Sequence, residues 1–110
     1  MANTFTRKTS QNIGATATQV GAYTVAASTT TIAIGLTCTN TTGSAIAANV
    51  FLANATANTY IVANAPIAAG ASLIPIGGDQ KIVMITGDKL YVQSSAATSI
   101  DAILSIMEIT

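Results

Sequence analysis

The side chains able to do chemistry are few and poorly matched to one another. The 110-residue chain has four basic residues, Arg7, Lys8, Lys81 and Lys89, four acidic residues, Asp79, Asp88, Asp101 and Glu108, one cysteine, Cys38, and no histidine. Without histidine, a Ser-His-Asp triad, a Cys-His pair and every imidazole metal site are excluded. A single cysteine builds no thiolate cluster and closes no internal disulfide, so the fold does not depend on an oxidising compartment. Asp79 and Asp88 each follow a glycine, in turn sequences that could approach each other at one end of the molecule. An Asp beside Gly commonly serves its own turn, however, and a calcium site needs a denser set of oxygen ligands. Asp101 and Glu108 differ in parity along one segment, so a strand there puts them on opposite faces and they cannot act as a pair. Lys81 or Lys89 could in principle join a serine in a dyad, but no nucleophile motif surrounds either. Gly77-Gly78-Asp79 lacks the length and the following helix of a phosphate-cradling loop. The sequence therefore yields no catalytic residue, no cofactor-binding residue and no metal ligand, and the chain is expected not to be an enzyme.

Composition narrows the classes further. Half of the residues are hydrophobic and only 7% are charged, against roughly a quarter charged in an ordinary globular protein. The surface must be built from Thr, Ser, Asn, Gln and Ala. The formal net charge is zero, a condition that favours association over dispersal. With so little basic charge and no block of it, the electrostatic attraction on which nucleic-acid binding depends is missing. The N-terminus has no apolar stretch after Arg7-Lys8, unlike a typical signal peptide. No apolar run approaches the ~18 residues of a membrane-spanning helix. Asn40-Thr41-Thr42 and Asn54-Ala55-Thr56 match the glycosylation acceptor pattern and are read as turns.

The elements that must position these residues are strands. From Asn64 to Val92, apolar runs alternate with breaks at Pro66 to Gly70, Gly77-Gly78 and Thr86-Gly87-Asp88, a spacing that short strands can follow and ordinary helices cannot. Upstream, Ile13 to Ala27 reads as two short β-prone pieces separated by Gly21-Ala22, with Val20, Tyr23 and Val25 facing inward. In Thr31 to Asn40, strict alternation predicts Ile32, Ile34, Leu36 and Cys38 inside and Ala33, Gly35, Thr37 and Thr39 outside. Cys38 is thus a buried structural thiol and not a nucleophile. After a turn at Asn40 to Ser44, Ala45 to Ala53 returns with Ile46, Ala48, Val50 and Leu52 inside and Asn49 and Phe51 outside. An antiparallel hairpin of these two segments is expected. Asn54 to Asn58 is the next turn. The final run, Ile100 to Ile109, is apolar in both parities: Ile100, Ala102, Leu104 and Ile106 on one face, Ile103, Met107 and Ile109 on the other. Such a strand must be covered on both sides.

These elements predict an all-β protein, a two-layer antiparallel sandwich of jelly-roll or immunoglobulin-like type with about eight or nine strands. Residues 13–110 form the single sandwich domain. Residues 1–12 form an arm or an edge strand: either an ordinary solvated terminus or a segment that lies on a neighbouring subunit, with Phe5 as anchor and Arg7 and Lys8 for acidic partners.

Several segments together resemble a known family. They are Thr-Phe-Thr-Arg-Lys-Thr-Ser at 4 to 10, Ile-Gly-Leu-Thr at 34 to 37, Asn-Thr-Thr-Gly-Ser-Ala at 40 to 45, Tyr-Ile-Val at 60 to 62, Ala-Pro-Ile-Ala-Ala-Gly at 65 to 70, Gly-Gly-Asp-Gln-Lys at 77 to 81 and Gly-Asp-Lys-Leu-Tyr-Val at 87 to 92. With the Glu-Ile ending, this pattern is similar to small virion structural proteins of tailed bacteriophages, notably cyanophages. The resemblance implies a protein that sits on the capsid or on the neck and tail, binds copies of other virion proteins and carries no catalytic residue.

The expectation is a capsid decoration, or cement, protein that works in the virion after assembly in the host bacterial cytoplasm. It would be a homo-oligomer, favoured as a trimer, bound to the major capsid protein or other virion proteins, with no cofactor and with neither nucleic acid nor membrane as partner. Phe5, Arg7, Lys8, Ile103, Met107 and Ile109 are the predicted contact residues. A neck, tail or fibre component is the alternative. A carbohydrate-binding adhesion module is a second, and it would draw on exposed aromatics among Tyr23, Tyr60 and Tyr91.

Overall fold

A computed structural model of the chain describes residues 3–55 and 57–110. Met1 and Ala2, at the start of the predicted arm, and Thr56, in the second acceptor pattern, lie outside the described residues. The strands are β1 (Asn3–Ile13), β2 (Thr18–Gln19), β3 (Thr30–Asn40), β4 (Ile46–Asn54), β5 (Ala57–Ile67), β6 (Ser72–Ile76), β7 (Ile82–Met84), β8 (Lys89–Ser94) and β9 (Ile100–Ile109), with one turn of 3-10 helix at Val20–Ala22. They form two antiparallel sheets. The front sheet has the order β1-β9-β3-β6, with β7 also paired to β3, and the back sheet has the order β2-β8-β4-β5.

The pairing pattern identifies the topology. β1 pairs with β9, β2 with β8, β3 with β6 and β7, and β4 with β5, as in one long hairpin whose ends meet. Coiling that ribbon brings β9 beside β3 and β8 beside β4. The result is a jelly roll, the first of the two sandwich types expected.

Between the sheets lies a core that alternation along each strand supplies. From β9 it takes Ile100, Ala102, Leu104 and Ile106, as the parity predicted, and from β4 and β8 it takes Ala48, Val50, Leu90 and Val92. Val20, Tyr23 and Val25 are also buried. Of the two β-prone pieces expected around them, only Thr18–Gln19 forms a strand. Gly21 and Ala22 both have positive φ, so this segment is a tight left-handed turn, closed by Tyr23 N bonding to Val20 O (3.1 Å).

Three expectations are corrected. First, β3 and β4 do not form a hairpin, because β3 lies in the front sheet and β4 in the back. The connection between them is an arch held by Asn40. Its buried amide nitrogen donates to the carbonyls of Ser44 (2.8 Å) and Ile67 (3.1 Å), while its Oδ1 accepts from Thr42 N (2.9 Å).

Second, the parity of β3 reverses midway. A register shift between Ala33 and Gly35 gives β3 an extra residue against β9, so Ile32 lies outside and Ala33 inside before the bulge, while Leu36 and Cys38 lie inside after it. A bulge of one residue moves every later side chain to the other face. Third, Pro66 does not open a bend. It lies within β5, opposite Ala47, where an edge strand tolerates the missing N–H. The bend falls at Gly70, whose φ of 72° suits glycine.

Candidate interaction surfaces

The outer face of the front sheet gathers apolar side chains that the core does not use. β9 is responsible, because both of its parities are apolar and only one can point inward. Its outward residues meet partners on either side in register. Phe5 of β1 stands opposite Met107, Met107 opposite Ile32 of β3, and Ile32 opposite Val83 of β7. This apolar row crosses the sheet, and its ends are open: Phe5 is 71% exposed and Val83 62%. Ile103, 50% exposed, stands between Thr9 and Thr37 on the same face, and Ile109 between Asn3 and Thr30. Exposed Ile74 of β6 adds to it.

Arg7 shares the parity of Phe5 and pairs with Ser105, so it borders this patch. Lys8 does not. It projects from the opposite side of β1, and its Nζ stands 5.5 Å from the centroid of the Tyr23 ring. Its Cβ occupies the space beside Gly21, where an added methyl would meet it at 2.4 Å. The Tyr23 hydroxyl donates to Glu108 Oε2 (2.8 Å) and shares a hydrogen bond with Thr31 Oγ1 (2.6 Å). Burial raises the Tyr23 pKa; the Thr31 hydrogen bond opposes that rise and Glu108 reinforces it. The structure thus gathers Phe5, Arg7, Ile103, Met107 and Ile109 on one face and gives Lys8 a place in the molecule's own packing.

Sequence reasoning missed Ile32, Ile74 and Val83. Val83 sits in the run Ile82-Val83-Met84-Ile85, apolar in both parities like β9, and that signal was available. Ile32 was hidden because a bulge leaves no mark in an alternating sequence.

The outer face of the back sheet is aromatic and amide-bearing. Tyr91 of β8, Phe51 of β4 and Tyr60 of β5 stand in register. Phe51 stacks on Tyr91 with centroids 5.3 Å apart and planes at 5°, and meets Tyr60 at 5.1 Å and 40°. Phe51 is consequently only 6% exposed, whereas Tyr60 at the edge is 52% exposed. Asn49 Nδ2 donates to Gln93 Oε1 (3.3 Å) beside this row. An open cavity of about 340 Å³ adjoins it, lined by Phe51, Tyr91, Asn58 and Lys89 over small residues that include Ala53 and Gly87.

The remaining candidates for chemistry have structural roles. Asp88 is buried; its Oδ2 accepts from Ile85 N (2.9 Å) and its Oδ1 from Asn54 Nδ2. This carboxylate ties the β7–β8 turn to the end of β4. Lys81 Nζ donates to the carbonyl of Gly78 (2.9 Å), within the turn that also holds Asp79. Asp101 Oδ1 accepts from Asn12 N (3.0 Å). Cys38 is buried in the core, and burial pushes its thiol up to about 12. Among the described residues, no group of His, Cys, Asp and Glu could hold a metal ion.

No protein-family model matches the chain, and no curated protein sequence does. Among solved structures, it is similar to a chain of the Bacillus endospore appendages, a family of disulfide-linked pili, with a TM-score of 0.55 and 17% identity over 100% of this chain and 91% of that one. A weaker likeness, with a TM-score of 0.49 and 12% identity, pairs 97% of this chain with 32% of a chain of infectious bursal disease virus, Gt strain. The chain spans about a third of that viral chain's length. At these identities the pilus comparison shows a shared fold: the two-sheet sandwich recurs over nearly the whole length of both chains.

Proposed function

We propose that the chain is a non-enzymatic structural protein of a bacteriophage virion, most specifically a decoration protein whose front face binds the outer surface of the capsid. One observation carries this reading: the apolar row Phe5–Met107–Ile32–Val83 crosses the sheet on a face without internal cover. Contiguous apolar surface rimmed by polar residues marks a site of protein contact. Here Thr9, Thr37 and Arg7 supply part of the rim. Binding only the assembled shell stabilises it by mass action. The very low charge of the chain, 7%, leaves burial of apolar area as the main attraction.

The pilus chain of like fold belongs to disulfide-linked assemblies. This chain's one cysteine is buried in the core, so its association is non-covalent. The test is binding to purified particles. Val83→Lys and Met107→Lys should abolish co-sedimentation of the otherwise folded protein, and wild-type binding by both variants would overturn the proposal. Copy number separates the capsid from the neck or tail: a decoration protein follows the capsid lattice, and a neck or tail component fills a single ring.

A second reading is favoured by the back face alone. Exposed Tyr60 and the cavity beside Phe51 and Tyr91 suit a saccharide that helps a particle adhere. Glycan-array binding lost in Tyr60→Ala and Tyr91→Ala would support it, and an array without signal would dismiss it.

A further inference from the structure

Two of the long strands lie at sheet edges, and they are built differently. β5, at the edge of the back sheet, contains Pro66, and its register against β4 shifts on both sides of Val50. Proline and bulges blunt an edge against further pairing. β1, at the edge of the front sheet, contains no proline, and from Asn3 to Ser10 its register against β9 is unbroken. Most side chains along that stretch are exposed, and Thr4, Thr6 and Thr9 are β-branched residues suited to a pleated surface. A long, regular, proline-free edge is a template for another strand. We infer that β1 pairs antiparallel with β1 of a second copy of this chain, across a twofold axis at Thr6.

The side chains select both the partner and the axis. With the axis at Thr6, Phe5 stands opposite Arg7 of the second copy, and Arg7 opposite its Phe5. The most exposed large apolar side chain among the described residues is then covered by a guanidinium, twice over by symmetry. Thr6 meets Thr6, Thr4 meets Lys8 and Asn3 meets Thr9, with no like charges opposed. An axis at Arg7 or at Lys8 sets each of these cations against its own copy, which is unfavourable for directly opposed strand residues. An axis at Phe5 leaves only a short ladder. An axis between two residues opposes odd with even, which brings the outer face of one copy level with the inner face of the other.

Lys8 is already drawn toward Tyr23 and Gly21, so the Phe5 and Arg7 side of the strand is left to the partner. Such a pair forms on or off a particle and does not depend on a virion role for the front face.

The experiment is a cysteine scan combined with a measurement of native mass. Cys38 is buried and does not compete. Phe5→Cys, Thr6→Cys and Arg7→Cys are oxidised gently in turn. Thr6→Cys should convert most of the chain to a covalent dimer, because residues opposed across antiparallel strands lie within the Cα separation a disulfide needs, while the other two should cross-link little. In parallel, wild-type protein should have the mass of a dimer, retained in Phe5→Glu, whose carboxylate meets Arg7 of the second copy, and lost in Phe5→Arg.

A wild-type monomer at every concentration would overturn the inference, as would faster cross-linking at position 5 or 7. Equal dissociation by Phe5→Glu and Phe5→Arg would overturn it too, and would indicate that copies meet through the apolar face instead.

Discussion

The two outer faces of the sandwich both carry large apolar side chains, but they cover the middle and the ends of their rows differently. On the back face, Phe51 lies between Tyr91 and Tyr60 at centroid distances near van der Waals contact, and its exposure falls to 6%. On the front face, the apolar row has no such stack at its ends, where Phe5 and Val83 remain 71% and 62% exposed. The lesson concerns side-chain shape as much as hydrophobicity. Planar rings on neighbouring strands can stack across the strand spacing, whereas the one ring of the front row, Phe5, has Met107 opposite it and no second ring beside it. The back row is closed at its centre and open at the Tyr60 edge alone, and the front row, open at both ends, invites a partner.

The comparison can be broken in several places. The largest effect belongs to the front face: Val83→Lys should reduce particle binding by more than ~100-fold, since a lysine buried without a partner in an interface costs several kcal/mol, while Tyr60→Ala should leave binding unchanged. Next comes the shared core. Leu104→Ala, on the inner side of β9, should cost about 2–5 kcal/mol in denaturant unfolding and, in the fraction still folded, leave front-face binding intact. Were binding lost with the fold preserved, the inner and outer faces of β9 would not be separable. Asp88→Ala should cost about 1–3 kcal/mol, because the Ile85 N–H and the Asn54 amide lose their buried acceptor; urea titration measures it.

Alkaline pH tests the core from another side. Burial holds the Cys38 thiol at about 12 when folded, against an ordinary value of 9.0. Above pH 9 the unfolded chain releases this proton while the folded chain keeps it, so stability should fall as pH rises from 9 to about 12. Tyr23, also raised from 10.0, acts in the same direction above pH 10. Cys38→Ala should flatten the first part of this decline, and native Cys38 should resist thiol reagents at neutral pH. The smallest effect is expected at the back-face edge, where Tyr60→Ala should cost about 0.5–1.5 kcal/mol of ring packing.

Much of this arrangement was legible in the sequence, and the rest was hidden for definite reasons. The glycine-marked turns at Gly77-Gly78 and Gly87-Asp88 form as expected, with Gln80 N bonded to Gly77 O and Asp88 N to Ile85 O. The doubly apolar character of β9 disclosed both the core and the patch. Local pattern could not show that β3 and β4 separate into different sheets, because a short polar connection can close a hairpin or bridge two layers. The difference lies in what Asn40 bonds, and two of its acceptors, Ile67 and Ala68, are remote in the chain. The bulge in β3 was invisible for a related reason: Ile32, Ile34, Leu36 and Cys38 alternate without a break, and only the pairing with β9 shifts their faces. Lys8 looked like a free cation beside Arg7. Its place over Tyr23 depends on Gly21, which in the sequence marks only the break between two β-prone pieces.

The most direct test is oxidative footprinting of the protein free and bound to particles, read at Met107 and Val83 on the front face, away from the β1 seam, and at Tyr60 and Tyr91 on the back. Protection of Met107 and Val83 on binding, with Tyr60 and Tyr91 unchanged, is the predicted result. Protection of the tyrosines with Met107 and Val83 still reactive would contradict the assignment of the front face as the surface of association.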